Sequence, residues 1–70
     1  MTTAEKLELI ERVLDALPGT LTEDTKLGDL PMWDSLAMLN LQIELTAIRP
    51  DVQFDEIYVC ITVGDICRMI

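Results

Sequence analysis

The sequence predicts an all-α fold: a small four-helix bundle of three main helices plus one short helix, with a long first loop. Three observations carry this. Apolar residues recur at three- and four-residue spacing in three separate stretches, as they do on one face of a helix. Half of the 70 residues are apolar, yet only Trp33, Phe54 and Tyr58 are aromatic, which suits a core of Leu, Ile, Val and Met on short helices. No partner strand is visible for Tyr58-Val59-Cys60-Ile61, the one segment with a competing strand propensity. At this length the chain holds a single domain, 1–70, close to the lower limit for a self-supporting core.

The first helix follows Thr2. Leu7, Ile10, Val13, Leu14 and Leu17 form its apolar stripe, with Glu5, Glu8, Glu11, Arg12 and Asp15 opposite. Thr2 and Glu5 have the spacing of a capping box, and early acids suit the positive end of the helix dipole. Pro18-Gly19 is the expected stop. Residues 18–34 then read as a long loop, holding Pro18, Gly19, Gly28 and Pro31. Leu21, Leu27 and Leu30 punctuate it, so the loop is expected to pack down on the bundle. Structureless loops of this length are uncommon in small domains and are often functional.

A second helix is expected to start at Asp34 or Ser35 and to end before Pro50, because the residue preceding proline disfavours the helical region. Residues 51–61 are the least defined. Asp55-Glu56-Ile57 suits a short helix to about Cys60, against a competing strand propensity in Tyr58-Val59-Cys60-Ile61. Thr62 and Asp65 mark a further capping box. Val63, Ile66, Cys67 and Ile70 give the last helix its stripe.

Composition removes several functions. The net charge is −8, and the five cations Lys6, Arg12, Lys26, Arg49 and Arg68 are scattered, so no nucleic acid is an expected partner. Acidity of this size suits basic protein partners reached by electrostatic steering. Histidine is absent, which removes Ser-His and Cys-His catalysis and histidine metal sites. Cys60 and Cys67 are too few for a disulfide framework and lack metal-ligand spacing. They read as buried free thiols, with a single disulfide as the lesser alternative. The N-terminal residues lack the basic and apolar blocks of a signal peptide, and no apolar run approaches the ~20 residues that span a bilayer. The expectation is a cytoplasmic monomer without membrane insertion. No convergent polar constellation suggests an enzyme.

On a helical wheel the second helix has two apolar sides. Met38, Leu41, Leu45 and Ile48 lie on one, with Ala37 at its margin. Leu36, Leu39, Ile43 and Ala47 lie on the other. Asn40 and Glu44 divide them on one edge; Gln42, Thr46 and Arg49 divide them on the other. A surface helix of a small bundle needs one apolar stripe. The second stripe means either that the helix is buried on both sides or that Leu36, Leu39 and Ile43 form a partner surface or line a ligand cleft. At the start of this helix Asp34 can cap through its carboxylate, accepting from an amide of Leu36 or Ala37. Ser35 then takes the first helical position. No base is at hand to activate its hydroxyl, so it is no nucleophile by itself, but a helix N-terminus favours a phosphate ester there.

The order of these features resembles the acyl carrier protein family. A capped amphipathic helix leads into a loop with Leu27-Gly28-Asp29-Leu30, then Asp34-Ser35-Leu36 opens a second helix, and Thr62-Val63-Gly64-Asp65-Ile66 begins the last. The resemblance covers nearly the whole chain. It implies a four-helix bundle whose Ser35, flanked by Asp34 and Leu36, carries 4′-phosphopantetheine, with an acyl cargo held as a thioester on the terminal thiol. It also implies a recognition surface on the second helix at Leu36, Leu39 and Ile43. The implied partners are a phosphopantetheinyl transferase and acyl-loading and acyl-processing enzymes with basic or apolar docking surfaces. Three departures stand out. Ala37, Asn40, Thr46 and Ala47 occupy positions where carriers of bacterial fatty acid synthesis hold acids, Trp33 stands where a small residue is common, and Pro31 marks the loop. They point away from housekeeping fatty acid synthesis toward a carrier of a secondary or surface-polysaccharide pathway. The alternatives are an aminoacyl carrier, or an unmodified interaction module in which Asp34 and Ser35 only cap a helix. Trp33 either covers the loop–helix junction or contacts the arm or a partner.

Overall fold

The computed structural model describes residues 1–70 and contains four α-helices: α1 (Thr3–Leu14), α2 (Ser35–Leu45), α3 (Phe54–Tyr58) and α4 (Val63–Cys67). A 3₁₀ turn at Leu27–Asp29 interrupts the long loop, and an isolated antiparallel bridge pairs Lys26 with Thr62. The all-α class is as the sequence indicates. The lengths differ from the expected three-plus-one pattern: α4 has only five residues, as α3 does, so two long helices pack with two short ones. No helix is long and apolar enough to cross a membrane.

Each helix starts where its capping residues place it. Thr2 Oγ1 accepts from the Glu5 amide at 3.2 Å while Glu5 Oε1 accepts from the Thr2 amide at 2.8 Å. Thr62 and Asp65 exchange the same pair of bonds at the start of α4, at 3.2 and 3.0 Å. At α3, Glu56 reaches back to the Gln53 amide at 3.2 Å. The strand alternative for 58–61 is not realised. Tyr58 ends α3, and Ile61 pairs through its carbonyl with the Leu27 amide at 2.9 Å.

The core comprises Leu9, Ile10 and Leu14 of α1, Leu21 and Leu27 of the loop, Leu41 and Leu45 of α2, Val52, Ile57 of α3, and Val63, Ile66 and Cys67 of α4. Leu21 and Leu27 confirm that the loop packs down. Two readings of α1 are corrected. The helix ends at Leu14, before Pro18, because Asp15 turns into the left-handed region at φ 56° and its amide closes on the Arg12 and Glu11 carbonyls; a short acidic side chain tolerates that conformation. Leu17 therefore leaves the helical register and is 75% exposed. Glu11, expected on the solvent side, is 5% exposed. The loop folds over it, and its Oε2 accepts from the buried Leu21 amide at 3.0 Å. A buried backbone donor requires an acceptor, and Glu11 supplies one where no strand or helix does. Glu11→Ala is expected to lower stability by about 1–3 kcal/mol, the cost of an unpartnered buried group, whereas Glu8→Ala on the exposed side changes it by less than about 0.5 kcal/mol. Urea titration of both variants checks this, and equal midpoints would remove the loop-pinning role of Glu11.

Three polar ties fasten the short helices. Lys6 Nζ donates to the Cys67 carbonyl at 3.1 Å, joining α1 to the end of α4. Arg49, just beyond α2, pairs with Glu56 at 2.8 Å and Asp51 at 3.1 Å, and donates to the Met69 carbonyl at 3.4 Å. Asp65 accepts from the Thr62 and Ile61 amides and pairs with Arg68. These bonds hold the Asp65 carboxyl down to about 2, the Thr62 amide contributing most. Glu56, bound chiefly by Arg49, and Glu5, bound chiefly by Thr2, are also lowered. A lowered folded-state pKa means that the unfolded chain takes up protons first, so the stabilisation is complete above the unfolded carboxyl range and is lost as pH falls through the folded value. For Asp65 that window runs from about pH 4 down to about pH 2. The melting temperature is expected to fall across this window, and less steeply in Asp65→Asn. An Asp65→Asn chain with the parent slope would contradict the assignment.

Candidate functional site

The start of α2 is built from three adjacent residues. Asp34 has extended backbone and caps the helix, its Oδ1 accepting from the Ala37 amide at 2.8 Å; its carbonyl accepts from Met38 at 3.0 Å. Of the two amides that sequence left open for this cap, Ala37 is the one used. The amides of Ser35 and Leu36 have no backbone partner. Ser35 is the first helical residue and is exposed. Two free N–H groups and the positive end of an 11-residue helix thus adjoin an accessible hydroxyl, an arrangement that stabilises negative charge brought to that position.

Beyond Ser35 the two sides of α2 divide sharply. Leu41 and Leu45 are 0% exposed, while Leu36, Leu39 and Ile43 are 65%, 46% and 61% exposed. The helix is therefore buried on one side only, and the reading in which both sides are covered is set aside. Its wheel stops at Leu45. Thr46 to Ile48 form turns, so Ile48, expected on the buried side, is 41% exposed, and Ala47 is exposed beyond the helix end. Exposed Asn40 and Glu44 flank the open stripe.

Trp33 is half-buried against the core at the loop–helix junction, and its amide donates to the Leu30 carbonyl at 3.1 Å. Neither cysteine forms a disulfide. Cys67 is buried as expected, but Cys60 is only half-buried, with Sγ 3.2 Å from the Glu56 carbonyl and 3.6 Å from Met69 Sδ. Burial pushes both thiols above their ordinary range, so they are un-ionised at neutral pH and weak nucleophiles.

Two features were not visible in the sequence. Tyr58, Val59 and Ile61, at the corner between α3 and α4, are exposed; no periodicity marks a turn that turns its apolar residues outward. A cleft of about 320 Å³ opens beside the end of α1, lined by Asp15, Ala16, Leu17, Thr20, Leu21, Thr25, Leu30 and Met32. Its lining comes from a helix end and an irregular loop, which share no spacing rule. The chain matches no family model, no curated protein and no solved structure. The class its fold defines is a small all-helical bundle with an exposed serine at a helix start.

Proposed function

We propose that the chain is a carrier protein of the acyl carrier type, with 4′-phosphopantetheine attached to Ser35. The observation that carries this reading is the conjunction at the start of α2: an exposed serine, two free amides beside it, and an exposed apolar stripe of Leu36, Leu39 and Ile43 running away from it. The residues fit the group. The amides of Ser35 and Leu36 would hold its phosphate, and Asp34 keeps the helix start in register through its bond to Ala37. The group supplies a thiol on a flexible arm, on which cargo is held as a thioester.

Attachment is a displacement at phosphorus. Ser35 Oγ forms a bond to the phosphorus of the pantetheine half of coenzyme A, the pyrophosphate bond breaks, and adenosine 3′,5′-bisphosphate leaves with the electron pair. The hydroxyl proton passes to a base of the phosphopantetheinyl transferase, since this chain has no histidine. After loading, tethering raises the effective concentration of cargo near a docked enzyme to the millimolar range typical of short flexible links. Partners dock on the apolar stripe, with the net charge of −8 steering basic surfaces toward it. A single acid on α2, Glu44, suits a specialised acyl carrier acting in the cytoplasm.

Incubation with coenzyme A and a promiscuous phosphopantetheinyl transferase is expected to add the mass of one arm, with none added to Ser35→Ala. No gain with several transferases, or an equal gain in the variant, would refute the assignment. The exposed stripe also suits a module that binds partners without modification; full function of Ser35→Ala in cells would favour that reading. Loading by an amino-acid-adenylating enzyme in place of an acyl ligase would make the cargo aminoacyl.

A further inference from the structure

The cleft beside the end of α1 is the one cavity in the structure, and none of Asp34, Ser35 and Leu36 lines it. Its lining is chiefly apolar, from Ala16, Leu17, Leu21, Leu30 and Met32, and its volume is about 320 Å³. Small-molecule sites run from roughly 300 to 1,000 Å³ and are mostly apolar, with a few polar groups that fix orientation. An apolar cavity of about 150 Å³ takes up benzene, so this cleft has room for one ring and a short chain. Its polar groups are of one kind. Asp15 contributes a carboxylate, which belongs to none of the ion pairs of the chain. Thr20 Oγ1 gives its proton to the Leu17 carbonyl at 2.5 Å, so it meets a ligand only as an acceptor. Thr25 Oγ1 is engaged with Thr22, whose amide it accepts at 3.0 Å. No lysine or arginine lines the cleft.

We infer that this cleft binds a small organic ammonium ion: a primary amine on an apolar body about the size of one aromatic ring. Binding there requires no modification of Ser35. Charge complementarity selects the amine. Asp15 directly follows the 12-residue α1, and the negative end of the helix dipole adds to the field of its carboxylate. Arg12 is the one cation in the last turn of α1, and it is not part of the lining. The net charge of −8 draws cations toward the chain as a whole. A carboxylate or phosphate ligand would meet Asp15 with no cation to offset the repulsion. A neutral ligand of the same shape would keep the apolar contacts alone. The backbone turn holds the two kinds of group together. Asp15 sits in the left-handed region at φ 56°, its amide closed on the Arg12 and Glu11 carbonyls, and Leu17, released from the helix by that turn, adds exposed apolar surface to the same cleft.

The test follows the amide resonances of the full chain during titration with phenethylamine, phenethyl alcohol and hydrocinnamate, which share a ring and short chain and differ in charge. The amine is expected to shift Ala16, Leu17, Thr20, Leu21, Leu30 and Met32 in a saturable way. It is expected to bind about fivefold more tightly than the alcohol, the gain that an exposed ion pair can supply. Hydrocinnamate is expected to bind most weakly. Asp15→Asn keeps a residue that tolerates the left-handed turn. It is expected to lower the affinity for the amine to that for the alcohol, and to leave the alcohol unchanged. Raised salt is expected to weaken the amine alone. Equal affinities for the three probes, or an Asp15→Asn chain that binds the amine as tightly as the parent, would overturn the assignment. So would shifts that do not saturate, that spread over remote acids such as Asp55, or that centre on Leu36, Leu39 and Ile43. If Asp15→Asn does not fold, the ranking of the three probes on the parent chain decides.

Discussion

Leu41→Ala is expected to destabilise the fold by about 2–5 kcal/mol, the range for a large buried aliphatic residue cut back to its Cβ, whereas Leu36→Ala changes stability by no more than about 0.5 kcal/mol. The two leucines lie on one helix five residues apart and are identical in intrinsic helix propensity. They differ in surroundings. Leu41 is 0% exposed within the core cluster, and Leu36 is 65% exposed. Removing Leu41 withdraws its methyl groups from the core cluster and leaves a void that close-packed neighbours fill only in part. Removing Leu36 withdraws surface already in water. Urea titration of both variants measures the contrast. Equal losses would mean that the stripe beginning at Leu36 is buried and cannot serve as a docking face. With Leu36→Ala folded and stable, any loss of partner binding it shows belongs to the interface and not to the fold.

Gly64→Ala is expected to lower stability by about 1–2 kcal/mol. Two effects oppose each other here. In an open helix, alanine is better than glycine by up to about 1 kcal/mol. At this position an added Cβ would stand 2.8 Å from the Glu23 carbonyl oxygen, 3.2 Å from Glu23 Cβ and 3.3 Å from Arg68 Nη1. Overpacking of this kind typically costs about 1–3 kcal/mol, and the nearest atom is backbone, so no side chain can swing aside. The Glu23 carbonyl is also the acceptor for the Gly64 amide at 2.9 Å, beside the Val63 amide bond to Thr25 and the Leu27 amide bond to Ile61. Pushing it away loosens the seam that holds the long loop to α4. Faster hydrogen exchange at Val63, Gly64 and Leu27, together with a lower denaturation midpoint, is the expected signature. A Gly64→Ala chain as stable as the parent would show that the loop yields at no cost, and that the seam does not set the position of the loop.

The all-α class, the order of the elements and the capped starts of α1 and α4 were legible in the sequence. Each depends on residues near one another in the chain: Thr2 with Glu5, Thr62 with Asp65, and apolar residues three and four apart. The start of α2 was legible for the same reason, since Asp34 reaches an amide three residues on. The two apolar sides of α2 also follow from local spacing, but local spacing does not say which side meets the core. Leu36 and Leu41 are chemically alike, and only the positions of α1 and α3 decide that Leu41 is covered and Leu36 is not.

The remaining features needed tertiary structure. The end of α1 at Asp15 is a backbone turn made by a residue with no strong stop signal, and it moved Leu17 from the expected core to the rim of a cleft. Glu11 reads as a solvent-facing acid until the loop ten residues later lays the Leu21 amide on it. The seam at Gly64 joins residues some 40 positions apart, Glu23 and Gly64. What the sequence by itself determined was the local order: helices, caps and the serine at the head of α2. What the tertiary structure decided was exposure, and therefore which leucines hold the fold, which remain open for a partner, and where a cleft opens beside the end of α1. The physical reason is range. Caps and periodicity act over a few residues of chain, while burial is a property of everything that packs around a side chain.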